Sequence, residues 1–479
     1  MNLPRGATAL QHRNFRLFWS GQLVSLIGTW MQTVGQSWLV LILTNNAFTL
    51  GIIAVAQFLP VLVFGLFGGV IADVVPKRKT LIGTQIASMI LAFALAAISW
   101  LGIAEVWHIV VLALLLGCTN ALDIPVRQAF TVEMVGRKDV ANGIALNSAI
   151  FTMARIAGPA IAGLVIGLAS SAAGSQLAGV AICFGLNGMS YVAVLAGLVS
   201  MRDEELFAVP HVERPPSFRG VLASLGEGLR YARRTRVVLL AIVVTGLVSF
   251  AGLNLQVLIP VYAKANLGVD ATGLGFLLAA SGIGSLIAAI GIAISGRARM
   301  EVLVGGVILL GVLECGLFFA TSMAPALILL FGIGIGGIAL TATANTAIQL
   351  IVPDELRGRV ISIYATVFVG ATPFGGPAFG WLASTKGAPF ALFVGGAISL
   401  ATGIGAGVLV LRGWGRGDER PRLAPASGAG VTAAAWSGTD EPGLGSPRAL
   451  RRSAETEARL TAGPAAVETD ERTGAGTRR

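Results

Sequence analysis

Twelve long apolar stretches run through the chain as far as residue 411 and constrain its fold more than any other feature. Each is close to the ~20 apolar residues that a helix needs to cross a hydrocarbon core of ~30 Å. A segment in lipid must satisfy its own backbone hydrogen bonds, which favours helices for stretches of this length. The sequence therefore predicts an all-α membrane protein with twelve transmembrane helices. The predicted spans are 17–43, 48–72, 80–102, 107–126, 141–169, 176–199, 237–262, 272–295, 302–321, 324–348, 360–383 and 388–411.

The basic residues mark one side of the predicted membrane. The chain has 34 Lys and Arg against 24 Asp and Glu, and a net charge of +10. Basic residues concentrate at the N-terminus, in the gaps after even-numbered spans and in the tail, whereas the gaps after odd-numbered spans hold only Lys264 and Lys386. The positive-inside rule then predicts that both termini are cytoplasmic. Because the basic charge follows this topology, nucleic acid is not predicted as a partner.

The sequence lacks the patterns of enzymes and cofactor sites. Cys118, Cys183 and Cys315 all fall within predicted spans, so no disulfide framework is expected. The glycine-rich run 332–337 lies inside a span, which favours close helix packing over nucleotide binding. No phosphate-binding loop, metal-ligand cluster or nucleophile–base pair is found, so we expect no catalytic residue, no metal and no cofactor.

The longest internal polar segment divides the spans six and six. We predict an N-terminal half over 1–200, a cytoplasmic linker with an amphipathic helix over 201–236, a C-terminal half over 237–412 and a disordered cytoplasmic tail over 413–479. The amphipathic helix either lies on the anionic inner leaflet or packs as a linker helix under the bundle.

The two halves also echo each other in sequence. Gly158-Pro159 and Gly376-Pro377 each follow a polar loop by a similar interval. Such an echo is typical of transporters that are built from parallel repeats.

Five segments resemble the major facilitator superfamily of transporters. The run 69–79, with Gly69, Asp73 and a basic cluster at its end, is similar to the signature loop of that superfamily, and 353–359 is similar to the symmetry-related loop. Within the superfamily, 21–25, 125–130 and 154–159 resemble the branch of bacterial enterobactin exporters and macrolide efflux proteins, the transmembrane secretion effectors. The resemblance covers residues 13–411. It implies two six-helix repeats, with spans 1, 4, 7 and 10 around a central cavity.

Amide and hydroxyl side chains fall in those four spans. Span 1 has a polar stripe at spacings of three and four residues, which places it on one helix face. In a membrane such residues either line a cavity or form hydrogen bonds between helices. The predicted cavity residues are Gln22, Ser25, Thr29, Gln32, Gln36, Asn120, Asn254, Gln256, Asn345 and Gln349.

Charged residues suggest a gate and a coupling site. Asp73 at the end of span 2 is expected to face the start of span 11 with basic partners while the cytoplasmic side is closed. The alternative is a basic loop that only sets topology. The predicted cytoplasmic gate consists of Asp73, Lys77, Arg78, Arg127, Arg357 and Arg359.

Three charged residues in or near the spans are candidates for coupling transport to protons. Arg155 lies near the middle of span 5 and either binds an anionic substrate or controls a nearby carboxylate, with Asp123 as the candidate. Glu314 is an isolated carboxylate in span 9 that is either a proton site or structural.

Together these features predict a multi-pass exporter of the bacterial plasma (inner) membrane. It would move a small amphipathic molecule, such as a siderophore, a macrolide or another drug-like compound, by alternating access with proton antiport. The expected partners are the lipid bilayer, the small-molecule substrate and protons, and the protein is expected to be a monomer. The alternatives are a metabolite uptake symporter or facilitator and a non-transporting membrane sensor.

Overall fold

The computed structural model describes residues 5–208, 218–295 and 299–414, without the side chains of 5–6, 65–74, 173, 218–224 and 295. All regular secondary structure in these ranges is helical, which confirms the predicted all-α class. The α-helices are α1 (Arg13–Thr44), α2 (Ala47–Val74), α3 (Lys77–Trp100), α4 (Val106–Ala173), α5 (Gln176–Val199), α6 (Phe218–Arg234), α7 (Arg236–Ala251), α8 (Leu255–Val261), α9 (Ala271–Ser295), α10 (Met300–Gly316), α11 (Met323–Ile351), α12 (Asp354–Gly370), α13 (Thr372–Lys386) and α14 (Ala388–Leu409). Short 3-10 helices cover Arg5–Gln11 and Asp203–Glu205, and π-helical turns cover Tyr262–Asn266 and Val410–Trp414. Most of the predicted tail, residues 415–479, lies outside the described ranges.

Ten helical segments of the described chain are long and apolar enough to cross a membrane. The number differs from the twelve predicted spans at two places. α4 contains both predicted stretches 107–126 and 141–169 in one helical element. α10 has 17 residues, which is shorter than the ~20 of a typical crossing.

Gly136 divides α4 into two arms, 106–135 and 137–173. Its φ of 71° and ψ of 169° interrupt the helix in a region that glycine enters without steric cost. A Cβ at this position would lie 3.2 Å from the ring of Phe207, whose backbone N–H donates to Glu133 O at 2.8 Å. The segment after α5 therefore covers the bend in α4.

A second interruption lies at residues 252–254, between α7 and α8. Asn254 Nδ2 donates to Phe250 O at 2.6 Å and to Ala251 O at 3.4 Å, so that its amide satisfies carbonyls at the end of α7. Gly375 on α13 packs directly on this break, since a Cβ there would lie 2.3 Å from Phe250 O. The kink between α7 and α8 is thus held by a side-chain amide and by a close backbone approach.

The helices form an N-terminal group (residues 5–208) and a C-terminal group (residues 218–414) that meet at one end of the bundle. We call this the far end, and it contains the turns at Asn45, Gly102, Gly174, Gly268 and Gly387. Lys264 Nζ donates to Leu41 O across the two groups at 2.7 Å.

Glycines bring the two groups into backbone contact at the far end. A Cβ on Gly51 of α2 would lie 2.6 Å from Gly376 O on α13. A Cβ on Gly275 of α9 would lie 2.5 Å from Pro159 O on α4. Both distances are below the 3.0 Å that side chains require, so only glycine permits these contacts. The helix pairs α2–α13 and α4–α9 therefore close the far end.

The opposite end, which we call the basic end, contains Lys77, Arg78 and Arg359. There α6 packs against α12: Gly228 approaches Arg359, and Tyr231 donates to Ile351 O at 3.4 Å. Seven ion pairs of the described residues each lie within one of the two groups. The pairs are His12–Asp139, Lys77–Glu133, Arg78–Asp203, Arg127–Asp123, Arg202–Glu205, Arg357–Asp354 and Arg359–Glu227.

Candidate functional site

Two small polar cavities lie where α1 faces α8, between the two groups. Each has a volume of about 40 Å³, and Thr33, Ser37 and Gln256 line both. One water molecule needs ~10–15 Å³ of such space, so each cavity has room for about three water-sized atoms, as in one small functional group, and not for a whole drug-sized molecule. We name them the Gln57 cavity and the Arg155 cavity.

The Gln57 cavity presents three side-chain amides and an aromatic ring. Gln36 comes from α1, Gln57 and Phe58 from α2, and Gln256 from α8. None of the three amides makes a hydrogen bond within the described residues. Their donors and acceptors are therefore available to a ligand.

The Arg155 cavity places a positive charge beside an aromatic ring. Arg155 lies on the second arm of α4, and its guanidinium carbon is 5.9 Å from the centre of the Trp30 ring, within the range of a cation–π contact. Trp30 in turn meets Phe151 edge to face, with ring centres 5.7 Å apart. Ser281 of α9 lines the same cavity, and its buried hydroxyl has no hydrogen-bond partner in the described structure.

Asp123 does not lie against Arg155. Its carboxylate accepts hydrogen bonds from Thr84 Oγ1 at 2.7 Å and Gln85 Nε2 at 2.8 Å, and it pairs with Arg127 one turn along α4. This buried cluster joins α3 to α4. Its geometry is that of a structural ion pair whose hydrogen-bonding capacity is largely used.

Glu314 is fully buried inside the C-terminal group. Its side chain has 0% exposure, and neither carboxyl oxygen has a hydrogen-bond partner among the described residues. The carboxyl group occupies space left by two glycines, because a Cβ on Gly252 or Gly395 would lie 3.0 or 3.2 Å from its oxygens. Glu314 thus packs beside the break between α7 and α8.

The polar stripe of α1 divides between two environments. Gln36 lines the Gln57 cavity, whereas Gln32 accepts a hydrogen bond from Asn187 of α5 at 2.7 Å. Thr29 donates to Ser25 O in the preceding turn at 2.9 Å. Gln22 and Ser25 are also buried, and Gln22 Oε1 has no partner in the described residues.

The other predicted cavity residues lie on α4, on α11 and at the break before α8. Asn120 is half-buried on α4, while Asn254 holds the break before α8. On α11, Gln349 Nε2 donates to Asn345 Oδ1 at 3.2 Å. Among the predicted amides, Gln36 and Gln256 line the same cavity although they come from different helix groups.

The predicted gate residues bond within their own group. Lys77 lies 2.8 Å from Glu133, and Arg78 donates to Leu198 O at 2.8 Å. Arg127, Arg357 and Arg359 pair with Asp123, Asp354 and Glu227. Asp73 belongs to α2, but its side chain lies outside the described residues.

Four residues that line these cavities were not predicted from the sequence: Thr33, Ser37, Gln57 and Ser281. Thr33 and Ser37 are four residues apart on α1, and each follows a residue of the predicted stripe by one position. They therefore form a second polar face of α1, next to the predicted stripe. Gln57 is an isolated polar residue without a periodic signal, and Ser281 has one polar neighbour at helical spacing, Ser285.

A family model for transmembrane secretion effectors matches residues 6–427. The chain belongs to this family of the major facilitator superfamily. The family and its relatives are transporters rather than enzymes, and the protein is a multi-pass membrane protein, as the sequence predicts.

Relatives of this transmembrane secretion effector include two bacterial transporters. The multidrug efflux pump Tap of Mycolicibacterium fortuitum is 29% identical over 375 residues, which cover 75% of this chain and 87% of the pump. The staphyloferrin A transporter of Staphylococcus aureus is 28% identical over 152 residues, 32% of this chain and 38% of that transporter.

A solved structure supports the fold. The bacterial homologue of the human lysosomal transporter Spinster, in an inward-facing and occupied conformation, matches with a TM-score of 0.64 at 14% identity. The match covers 87% of this chain and 99% of that one. At this identity the likeness concerns the fold alone.

Proposed function

We propose that this protein is a secondary active exporter of small amphipathic molecules in the bacterial inner membrane, driven by proton antiport and active as a monomer. The observation that carries the proposal is a pair of cavities with polar side chains between two helix groups, which are in backbone contact at the far end. A transporter that works by alternating access requires such a site between two groups that can separate at either end.

The proposed topology has twelve crossings in two groups of six, with both termini in the cytoplasm. Two of the crossings are the arms of α4, and one is the short α10. The basic end of the helix bundle is assigned to the cytoplasm by the positive-inside rule. With this orientation, the closed far end would face the outside, and a substrate would reach the cavities from the cytoplasm.

Glu314 is the residue we propose for proton exchange. A charged carboxylate without a partner is costly to bury, so Glu314 would hold its proton in this conformation. Release of the proton requires water or a partner to reach the carboxyl group. Movement at the adjacent break between α7 and α8 would provide that access, which links the proton to the change of conformation.

The export proposal draws on the relatives, one described as a multidrug efflux pump and one as a staphyloferrin A transporter. The amides of the Gln57 cavity and the aromatic rings Trp30 and Phe58 suit a molecule with both polar and apolar parts.

The test uses everted membrane vesicles with an imposed proton gradient and a pH-sensitive dye. Siderophores, a neutral macrolide and a cationic dye are added in turn. We expect a substrate-triggered proton efflux with the wild type, its loss with Glu314→Gln, and its retention with Glu301→Gln, an exposed glutamate on the same helix. Substrate accumulation without proton movement would overturn antiport, and uptake only in right-side-out vesicles would favour the import alternative.

A further inference from the structure

Arg155 carries a positive charge that no ion pair of the described residues neutralises. We propose that the Arg155 cavity binds an anionic group, most simply a carboxylate, of the transported molecule. This inference rests on the proposed transport function and narrows its substrate class.

The described carboxylates nearest to the membrane interior do not pair with Arg155. Asp123 is held by Thr84, Gln85 and Arg127. Glu314 packs between α7 and α14, and Asp270 bonds to the turn that starts α9. None of them lines the Arg155 cavity.

The Trp30 ring compensates only part of the charge. A cation–π contact stabilises a guanidinium far less than a carboxylate in bidentate hydrogen bonds does. An intramembrane arginine usually has an anionic partner or water. A ligand that brings a carboxylate would supply the partner that the protein lacks at this position.

An independent observation supports the same ligand. Ser281 has an exposure of 4%, lines the Arg155 cavity, and its hydroxyl has no hydrogen-bond partner in the described structure. The Gln256 amide, also without a partner, lines the cavity from α8. The cavity thus offers a guanidinium, a hydroxyl and an amide as donors.

The dimensions favour a single planar group. A volume of about 40 Å³ accommodates one carboxylate, while the remainder of the molecule would lie against the rings of Trp30 and Phe58. The fork of an arginine matches a carboxylate in two parallel hydrogen bonds. Because Arg155 belongs to the N-terminal group and Ser281 to the C-terminal group, a bound carboxylate would bridge the groups and stabilise the closed far end.

The experiment measures equilibrium binding to the purified full chain in nanodiscs. The probes are a citrate-based carboxylate siderophore, its methyl ester and acetate. We expect the acid to bind more tightly than the ester, and Arg155→Gln to weaken acid binding by about 10- to 100-fold with little effect on the ester, which is the range for a hydrogen bond to a charged group. Arg155→Lys should weaken acid binding less than Arg155→Gln does, and Ser281→Ala should weaken acid binding about tenfold. The control Arg230→Gln, on the exposed face of α6, should leave acid binding unchanged.

Equal binding of acid and ester, or the same acid-to-ester ratio in wild type and Arg155→Gln, would overturn the inference. A response of acetate alone would also overturn it, because the site would then serve a free anion and not the cargo. Export of the neutral macrolide or the cationic dye tests the proposed function separately. That function would stand if export continued while the acid-to-ester ratio did not depend on Arg155.

Discussion

Replacement of Gly51 by alanine should shift the conformational equilibrium away from the closed far end. The added Cβ would lie 2.6 Å from Gly376 O and 2.7 Å from Pro377 Cα. Both are backbone atoms, so no side chain can rotate to make room. Overpacking of this kind costs about 1–3 kcal/mol, and the cost applies only while α2 and α13 are in contact. The ratio of far-end-open to far-end-closed molecules should therefore rise by roughly 5- to 150-fold.

Spin labels at Asn46→Cys and Lys386→Cys would measure this ratio by pulsed electron paramagnetic resonance, since both side chains are exposed at the far end. The background would lack the native cysteines. Gly83→Ala on α3 is the control, because a Cβ there meets nothing within 4 Å and should leave the distances unchanged. A folded Gly51→Ala protein with the same distance distribution as the wild type would refute the reasoning.

Two further substitutions test the packing at other positions. Asp123→Ala should destabilise the protein by at most about 3–5 kcal/mol, the cost of breaking a buried ion pair. The cost should be smaller because the Arg127 side chain is 25% exposed. Thermal unfolding in detergent would measure it, with Asp123→Asn as a milder control, and an unchanged melting temperature would contradict the structural role. Gly136→Ala should cost about 1–3 kcal/mol, because its φ of 71° and ψ of 169° are strained for alanine. Its melting temperature should fall below that of Gly83→Ala, and equal values would argue against a strained bend.

The all-α fold follows from the sequence because hydropathy along the chain directly reports burial in lipid. Helix boundaries are less evident, as α12 shows. It begins at Asp354, six residues before the predicted span at 360, because Pro353 precedes it and Asp354 and Glu355 favour a helix N-terminus. Polar residues can start a helix outside the apolar stretch, and hydropathy alone does not register them.

The candidate site was only partly predictable for a different reason. A polar residue in a span must meet protein or water, but periodicity does not show which. Gln32 and Gln36 belong to the same stripe, yet Gln32 bonds to Asn187 while Gln36 lines a cavity. The difference depends on whether α5 or α8 faces that turn of α1, and this is a tertiary property.

Partners of charged residues were the least predictable feature. Sequence proximity suggested Asp123 for Arg155, whereas the arm of α4 turns Asp123 toward Thr84 and Gln85 on α3. The pairing of Arg359 with Glu227 likewise depends on how α6 folds back against α12.

The glycine contacts at the far end have a consequence for the energetics of a repeated cycle. Ordering a long side chain at an interface costs up to ~2 kcal/mol of rotamer entropy, whereas glycine has no rotamers to lose. At Gly51 and Gly275 the two groups would therefore join and part without freezing or releasing side chains at those points. At these two points, the free-energy difference between the joined and parted states would therefore contain no side-chain rotamer entropy.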